Sequence, residues 1–384
     1  MTWRTMDVKE QRVRFVVTAA RREKPLAEIC REFEISRPTG YLWLKRYQED
    51  GIAGIAERSR RPHNSPERTA AELEARVTEI RKHYPDWGAR KLKVVLAREN
   101  VELPATTIQR ILSRHGLIRE QDRHRPAPRR FERSHPNDLW QMDFKGRKNW
   151  NLTVGPLSVL DDRSRYAVVL QALKGTRAEL VREQLEQAFI DCGLPEAMLM
   201  DHGVPWWSEM APTGATTLTV WLMKQGIRLH WSGYRHPQTQ GKVERFHGEL
   251  ERAWLLRHGI GQETQAWLDA YRWEHNHVRP HEALQMKTPA SVWRKSERRY
   301  DPHPPAWEYP CGSRVLKVDS SGKLDAYGFR WAISRALSGE RVRLERVGDR
   351  ALVYYCRTLI RELDIRTGTW IAVERYRSEP DAQD

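Results

Sequence analysis

Residues 119–136, REQDRHRPAPRRFERSHP, are dense in arginine and proline and show no apolar periodicity. Such a stretch has no face to bury and is read as an extended basic linker that lies along phosphates through groups such as Arg129 and Arg130. It rules out one continuous core. A chain of 384 residues is also too long for one ordinary domain. Upstream of the linker the apolar residues recur at helical spacing; from residue 137 strand and helix patterns alternate.

The upstream part reads as two similar helical modules. Residues 8–22, PLAEICREFEI and RPTGYLWLKRYQEDG predict three short helices, with Leu26, Ile29, Phe33, Leu42 and Tyr47 facing inward. Ser36 is placed to cap the third helix, where Pro38 is tolerated in the first turn. This is the pattern of a helix-turn-helix, whose last helix would offer Arg37, Thr39, Tyr41 and Lys45 to a DNA groove. After the linker ERSRRPHNSP the plan repeats in residues 67–84, WGARKLKVVLAREN and LPATTIQRILSRHGLI. There Thr106 or Thr107 would cap the last helix, and Gln109, Arg110 and Arg114 would point outward. A dimerisation bundle is the alternative for this second module.

Charge agrees with a nucleic-acid partner. The formal net charge is +15 and the pI 9.8, and residues 1–136 hold 30 basic against 19 acidic side chains. Cys30, Cys192, Cys311 and Cys356 are scattered without a C-x-x-C pair, which indicates neither a zinc knuckle nor a disulfide framework and fits a reducing cytosol. No apolar run approaches the ~20 residues that cross a bilayer, and the N-terminus has no signal-peptide pattern. No membrane partner is expected, and the location expected is the cytoplasm.

From 137 onward, NDLWQMDFKG, LTVGPLSVLDD, RYAVVLQAL, EAMLMDHG and IRLHWS read as strands, and TRAELVREQLEQAFIDCG and TLTVWLMKQG as helices. They indicate a mixed sheet covered by helices. From about 310, alternating segments between Gly turns predict a small all-β module. The expected division is 1–62 and 63–118 for the helical DNA-binding modules, 119–136 for the linker, 137–300 for the α/β core and 301–384 for the β module.

Three carboxylates stand near the ends of these elements. Asp143 shares a strand face with Leu139 and Gln141, Asp201 ends the apolar strand AMLMD, and Glu244 opens a helix after the loop HPQTQGK. Converging carboxylates repel one another and call for cations. Hard oxygen ligands suit Mg²⁺ or Mn²⁺, and two such ions can clamp an in-line displacement at phosphorus. Near them, Gln240 and Lys242 are candidate DNA contacts. His247, one turn beyond Glu244, either contacts a scissile phosphate or solvates the helix. Asp161 and Asp162 are read as structural partners of Arg163 and Arg165 rather than ligands. His275, His277 and His281 lack a usual zinc spacing and are read as packing and capping residues.

WQMDFKG, LDDRSRY, MDHG, HPQTQGKVERFH and HNHVRPHEAL, in this order, resemble the successive blocks of the DDE integrase core of bacterial insertion-sequence transposases, relatives of retroviral integrases. SRPTGYLWLKRY, SRRPH and WGARKL resemble the helix-turn-helix modules that precede that core, and the β module resembles their small barrel. The resemblance spans nearly the whole chain. It implies an RNase H-like core with a mixed sheet, a C-terminal small all-β barrel, and Asp143, Asp201 and Glu244 as catalytic residues and metal ligands. Asp143 would bridge two ions, with Asp201 and Glu244 completing one each. The implied activity is that of a DNA transposase: Mg²⁺-dependent hydrolysis at transposon ends, then attack of the freed 3′-OH on target DNA. The implied partners are double-stranded DNA, as terminal inverted repeats and target, and further copies of the chain on that DNA, at the bacterial nucleoid. The stretch from Asp201 to Glu244 is longer than in the retroviral proteins, with VPWWSEMAPTG as a candidate loop over the site, and the retroviral N-terminal zinc module is missing. A catalytically silent DNA-binding regulator built from the same modules is the alternative. A nuclease acting on RNA–DNA hybrids would not need two DNA readers.

Overall fold

The computed structural model describes residues 8–56, 69–118, 132–146, 150, 152, 154–211, 213–231, 241–257 and 264–371. The chain divides into two compact units, Met1–Ala70 and Ala71–Asp384. In the first, α1 (Val8–Ala20), α2 (Leu26–Glu32) and α3 (Arg37–Asp50) surround Phe15, Val16, Ala19, Ile29, Cys30 and Ile55. Ser36 caps α3 by accepting from the Thr39 amide at 3.3 Å. The inward stripe of α3 is Gly40, Trp43, Leu44 and Tyr47, spaced as one helical face, which leaves Leu42, expected inside, 46% exposed. Gly40 is required where α3 crosses α2, since a Cβ there would lie 2.4 Å from Cys30 Sγ.

The second unit begins with α4 (Ala71–His83), α5 (Ala89–Arg98) and α6 (Ala105–Arg114), packed around Val77, Ile80, Trp87, Leu92, Leu96, Ile108, Ile111 and Leu112. The N-cap of α6 is Pro104 and no side chain caps it, so Thr106 and Thr107 sit inside the first turn rather than at the expected cap. In the sequence the basic linker sets this module apart from the α/β core. In the structure the two belong to one compact unit.

The core sheet contains β1 (Trp140–Phe144), β2 (Leu157–Asp161), β3 (Ala167–Gln171), β4 (Ala197–Met200) and β5 (Arg228–Trp231), in the order β3-β2-β1-β4-β5. The first three strands pair antiparallel, while β4 runs parallel to β1 and β5 parallel to β4. Helices α7 (Ala178–Cys192) and α8 (Thr217–Lys224) supply Val181, Leu185, Phe189 and Leu222 to a cluster with Trp140, Met142, Leu157, Val159 and Met198. A separate cluster gathers Leu160, Ala167 and Leu170 under α9 (Gly241–Arg257) and α10 (Thr264–His277), through Phe246, Leu250, Trp254 and Leu268. The sheet is thus covered on both faces, as strands this apolar require. A short α11 (Pro289–Val292) comes next.

The C-terminal module contains β6 (Arg314–Lys317), the hairpin β7 (Lys323–Ala326) and β8 (Phe329–Ala332), then β9 (Arg341–Val347), β10 (Arg350–Tyr355), β11 (Thr358–Asp364) and β12 (Thr369–Ile371). Its larger sheet has the order β12-β11-β10-β9-β6 and is antiparallel throughout. Among the described residues it is an antiparallel sheet beside a hairpin, with no closed barrel shown, where the family resemblance implies a small barrel. Its core residues Val318, Leu324, Trp331 and Ile333 continue the cluster of the α7 face. Among the described residues no helix is long and apolar enough to cross a membrane.

Candidate catalytic site

Strand alternation puts Trp140 and Met142 of β1 into the core and leaves Gln141 and Asp143 on the opposite face. β1 and β4 pair in parallel with Gln141 opposite Leu199. Continuing that register by two residues sets Asp143 level with Asp201, just beyond the end of β4. Glu244 lies in the first turn of α9. The three carboxylates meet electrostatically at Asp143. Its carboxyl is pushed up to about 7, first by burial and then by the negative charges of Asp201 and Glu244, against the opposing Phe144 amide and Lys145.

Contact through charge is not yet ligation. Among the described residues no group of three or more His, Cys, Asp or Glu side chains is close enough to hold one metal ion. The donor chemistry nonetheless fits a hard divalent cation. The carboxylate of Asp143 is half-buried and feels the negative charges of Asp201 and Glu244, and a cation would relieve that repulsion.

The start of α9 is tied to the sheet by a buried polar cluster. Asp162, fully buried, accepts from Gln141 Nε2 at 2.8 Å, from the Arg133 amide at 2.8 Å and from Lys242 Nζ at 2.5 Å. Gln141 Oε1 accepts from the Val243 amide at 3.3 Å. The residue two before Asp143 on its strand face therefore holds the residue before Glu244. Asp161 accepts from the Ser164 amide, the Ser164 hydroxyl and the Asn137 amide. Both aspartates thus act as buried hydrogen-bond acceptors; the Arg163 and Arg165 side chains form ion pairs with Glu132, and the charges of Asp162 and Asp161 also act on Arg165.

Two residues expected to contact DNA are drawn inward here. Lys242 is pulled inward onto Asp162, its side chain only 16% exposed, and burial pushes its ammonium down to about 8. His247 is buried, with Nε2 3.0 Å from Ser158 Oγ and Nδ1 3.7 Å from Asp143 Oδ2. Burial, then Lys145, pushes its imidazole down to about 3. It is turned away from solvent, because α9 buries the stripe of Val243, Phe246, His247 and Leu250. Gln240, Arg129 and Arg130 lie outside the described residues.

Asp201 has its own support. Oδ1 accepts from the Gly203 amide at 2.9 Å and from Trp206 Nε1 at 2.5 Å. The indole is 1% exposed and stacks on Phe144, with ring centroids 5.5 Å apart. Gln141 is legible as a polar residue inside an apolar strand; nothing in the sequence distinguishes Trp206 from the other tryptophans.

On the DNA-reading side, Arg37, Tyr41 and Lys45 are exposed on α3 at successive helical turns, while Thr39 is half-buried and bonded to Ser36. Thr106, Gln109 and Arg110 are exposed on α6 and Thr107 is half-buried. Arg114 is exposed on α6 as expected, and its guanidinium also pairs with the buried Glu74 of α4.

A second buried network joins α4–α6 to the helix that carries Glu244. Asp86, between α4 and α5, pairs with Arg257 of α9 and at 2.7 Å with Arg279. Arg257 also pairs with Glu274 at 2.7 Å, and Arg279 with Glu249 at 3.1 Å. Burial works to raise the Asp86 carboxyl, and Arg279 and Arg257 outweigh it, so it is held below the ordinary range. The two guanidinium groups lie over the Tyr84 and Trp87 rings, and Arg98 donates to the Val278 carbonyl at 2.9 Å. HNHVRPHEAL is therefore a docking block. His275 bonds the Arg165 carbonyl at 2.9 Å and packs on His281 at 4.6 Å, and His277 packs edge-on against Tyr166.

Comparison with known proteins covers both halves of the chain. Residues 133–237 and 225–289 each match a model described as an integrase core domain. Residues 11–63 match a helix-turn-helix domain and 39–112 a homeodomain-like domain. The chain is 26% identical over 243 residues to the insertion element IS407 uncharacterized 31.7 kDa protein of Burkholderia multivorans, covering 60% of this chain and 83% of that one. It is 26% identical over 277 residues to the insertion element IS476 uncharacterized 39.2 kDa protein of Xanthomonas euvesicatoria, covering 70% and 78%. Among solved structures, the HTLV-2 integrase catalytic core domain in complex with magnesium is 17% identical with a TM-score of 0.34, covering 41% of this chain and 97% of that one.

Proposed function

We propose, on the premise that this chain is an insertion-element protein with an integrase core and helix-turn-helix domains, that it is a DNA transposase. It binds the terminal inverted repeats of its element, cuts there, and joins the freed ends to target DNA. The observation that carries this reading is the convergence of Asp201 and Glu244 on a half-buried Asp143 whose carboxyl is pushed up to about 7. A like-charged arrangement of this kind is costly to fold and is of use where cations and phosphates are bound. The mixed sheet is taken as an RNase H-like core and the C-terminal sheet with its hairpin as a small barrel.

Asp143, Asp201 and Glu244 would hold two Mg²⁺ or Mn²⁺ ions, Asp143 sharing both. When bound, such ions stabilise charge on the attacking and leaving oxygens of a phosphoryl transfer. The chain's own residues arrange the site. Gln141 and Asp162 hold the start of α9 to β1, so that Glu244 faces Asp143. His247, neutral at working pH, packs under Asp143 against Ser158 without adding charge. Arg37, Tyr41 and Lys45 on α3, and Gln109 and Arg110 on α6, present exposed donors to a DNA groove. One triad per chain and two element ends imply at least two chains on paired ends, acting at the bacterial nucleoid in the cytoplasm.

The alternative, a silent DNA-binding regulator, draws on the absence of a three-ligand group among the described residues. A plasmid-joining assay with terminal-repeat DNA decides between them. The transposase joins ends in Mg²⁺ or Mn²⁺ and not in Ca²⁺, which takes a looser geometry, while end binding persists in chelator. End binding without joining under any divalent ion would leave the regulator.

A further inference from the structure

Asp201 is the member of the triad with the least support from regular structure. Asp143 lies within β1 and Glu244 within α9, whereas Asp201 is the first residue past β4, where the ladder to β1 no longer fixes the backbone. A ligand on a loop needs its orientation from elsewhere. Here that comes from the segment just after it. The Gly203 amide and the Trp206 indole both donate to one oxygen, Oδ1. Oδ2 is left without a protein donor among the described residues.

Trp206 is suited to this by having two functions in one side chain. Its ring is 1% exposed and lies in the main core cluster. It stacks at an interplanar angle of 13° on Phe144, the residue after Asp143. Its N–H reaches the carboxylate of Asp201 at 2.5 Å. One buried indole thus touches the ends of both strands that carry aspartates. A phenylalanine would keep the stack and lose the donor; a polar side chain would keep a donor and lose the stack.

We propose that Trp206 is a positioning residue for Asp201. By holding Oδ1 it would leave Oδ2 available to a cation that Asp201 and Asp143 would hold. This rests on the metal-binding reading of the triad. It also gives the segment VPWW a role different from a cover over the site: its first tryptophan is built into the core beneath the ligand.

The test is calorimetric Mn²⁺ binding to the full-length, metal-free protein, without DNA and without turnover. Losing an outer hydrogen-bond partner of a metal ligand weakens metal affinity ~10–100-fold, and Trp206→Phe is expected to fall in that range with its far-ultraviolet circular dichroism unchanged. Gly203→Ala is an independent route, because a Cβ there would sit 2.8 Å from Asp201 Oδ1 and 3.1 Å from Oδ2. It should weaken Mn²⁺ binding with Trp206 intact, and it decides the matter if Trp206→Phe does not fold. Asp201→Asn provides the reference for losing the ligand. Wild-type affinity in a folded Trp206→Phe protein, beside a weakened Asp201→Asn, would overturn the role of Trp206 and leave the metal reading standing. If Trp206→Phe does not fold, wild-type affinity in Gly203→Ala would do the same. A wild-type protein that binds no Mn²⁺ would overturn the metal reading, and this inference with it.

Discussion

Replacing Asp86 by Asn tests whether the helical module 71–118 is fastened to the α/β core. The side chain is 1% exposed and faces Arg279, 3% exposed, and Arg257, 13% exposed. Removing one partner of a buried ion pair costs about 3–5 kcal/mol, because the other charge is left buried and unmatched. Both arginines here retain a second carboxylate, Arg257 keeping Glu274 and Arg279 keeping Glu249, so the lower end of that range, about 3 kcal/mol, is expected. In native-state hydrogen exchange that corresponds to opening on the order of a hundredfold more frequent in peptides from α4–α6. Arg90→Ala is the control, since Arg90 and Glu282 form a pair 73% and 46% exposed and such pairs contribute about 0–1 kcal/mol. The pH dependence gives a second check. Asp86 is held below its ordinary value in the folded state, so its contribution is complete above about pH 4, the unfolded carboxylate value, and is lost as pH falls through the folded value. The deficit of Asp86→Asn should therefore be constant from neutral pH to about 4 and shrink below it. Exchange in Asp86→Asn no faster than in Arg90→Ala would refute the reasoning.

Asp143→Asn, Asp201→Asn and Glu244→Gln should each keep end binding and lose strand joining by several kcal/mol at the transition state; near-normal joining by any one removes that residue from the triad. Glu244→Gln protein titrated into wild type at constant total protein should lower joining faster than the wild-type fraction falls, and a proportional decline would indicate chains that act singly. Burial and the charge of Arg279 push the Lys91 ammonium down to about 8. Between about pH 8 and 10.5 the unfolded chain then holds a proton that the folded chain has released, so stability rises with pH across that window; Lys91→Met should flatten the rise in urea melts at about pH 7.5 and 10. Arg37→Ala should weaken binding to element ends more than to random duplex if Arg37 reaches base edges, and equal losses would assign it to phosphate.

Several features of this protein are determined locally and can be read from the chain. Apolar period and turn residues suffice for the helices of the first unit, for the alternation that sets Asp143 apart from Met142, and for the order of strands and helices in the core, since each depends on neighbours a few residues away. The same periodicity places Leu42 inside and misses Trp43, because a short helix admits more than one apolar stripe until its partners are fixed. Which polar groups meet across long separations is decided only by the tertiary structure. His247 comes three residues after Glu244, yet the rotation of α9 against the sheet buries one and leaves the other exposed. Lys242 turns inward because Asp162, 80 residues earlier, is buried beneath it. Trp206 reaches Asp201, and Asp86 finds two arginines more than 170 residues away, for the same reason. A hydrogen bond or ion pair forms where register and packing bring donor and acceptor within about 3 Å in a place that water does not reach, and no spacing along the chain specifies that place.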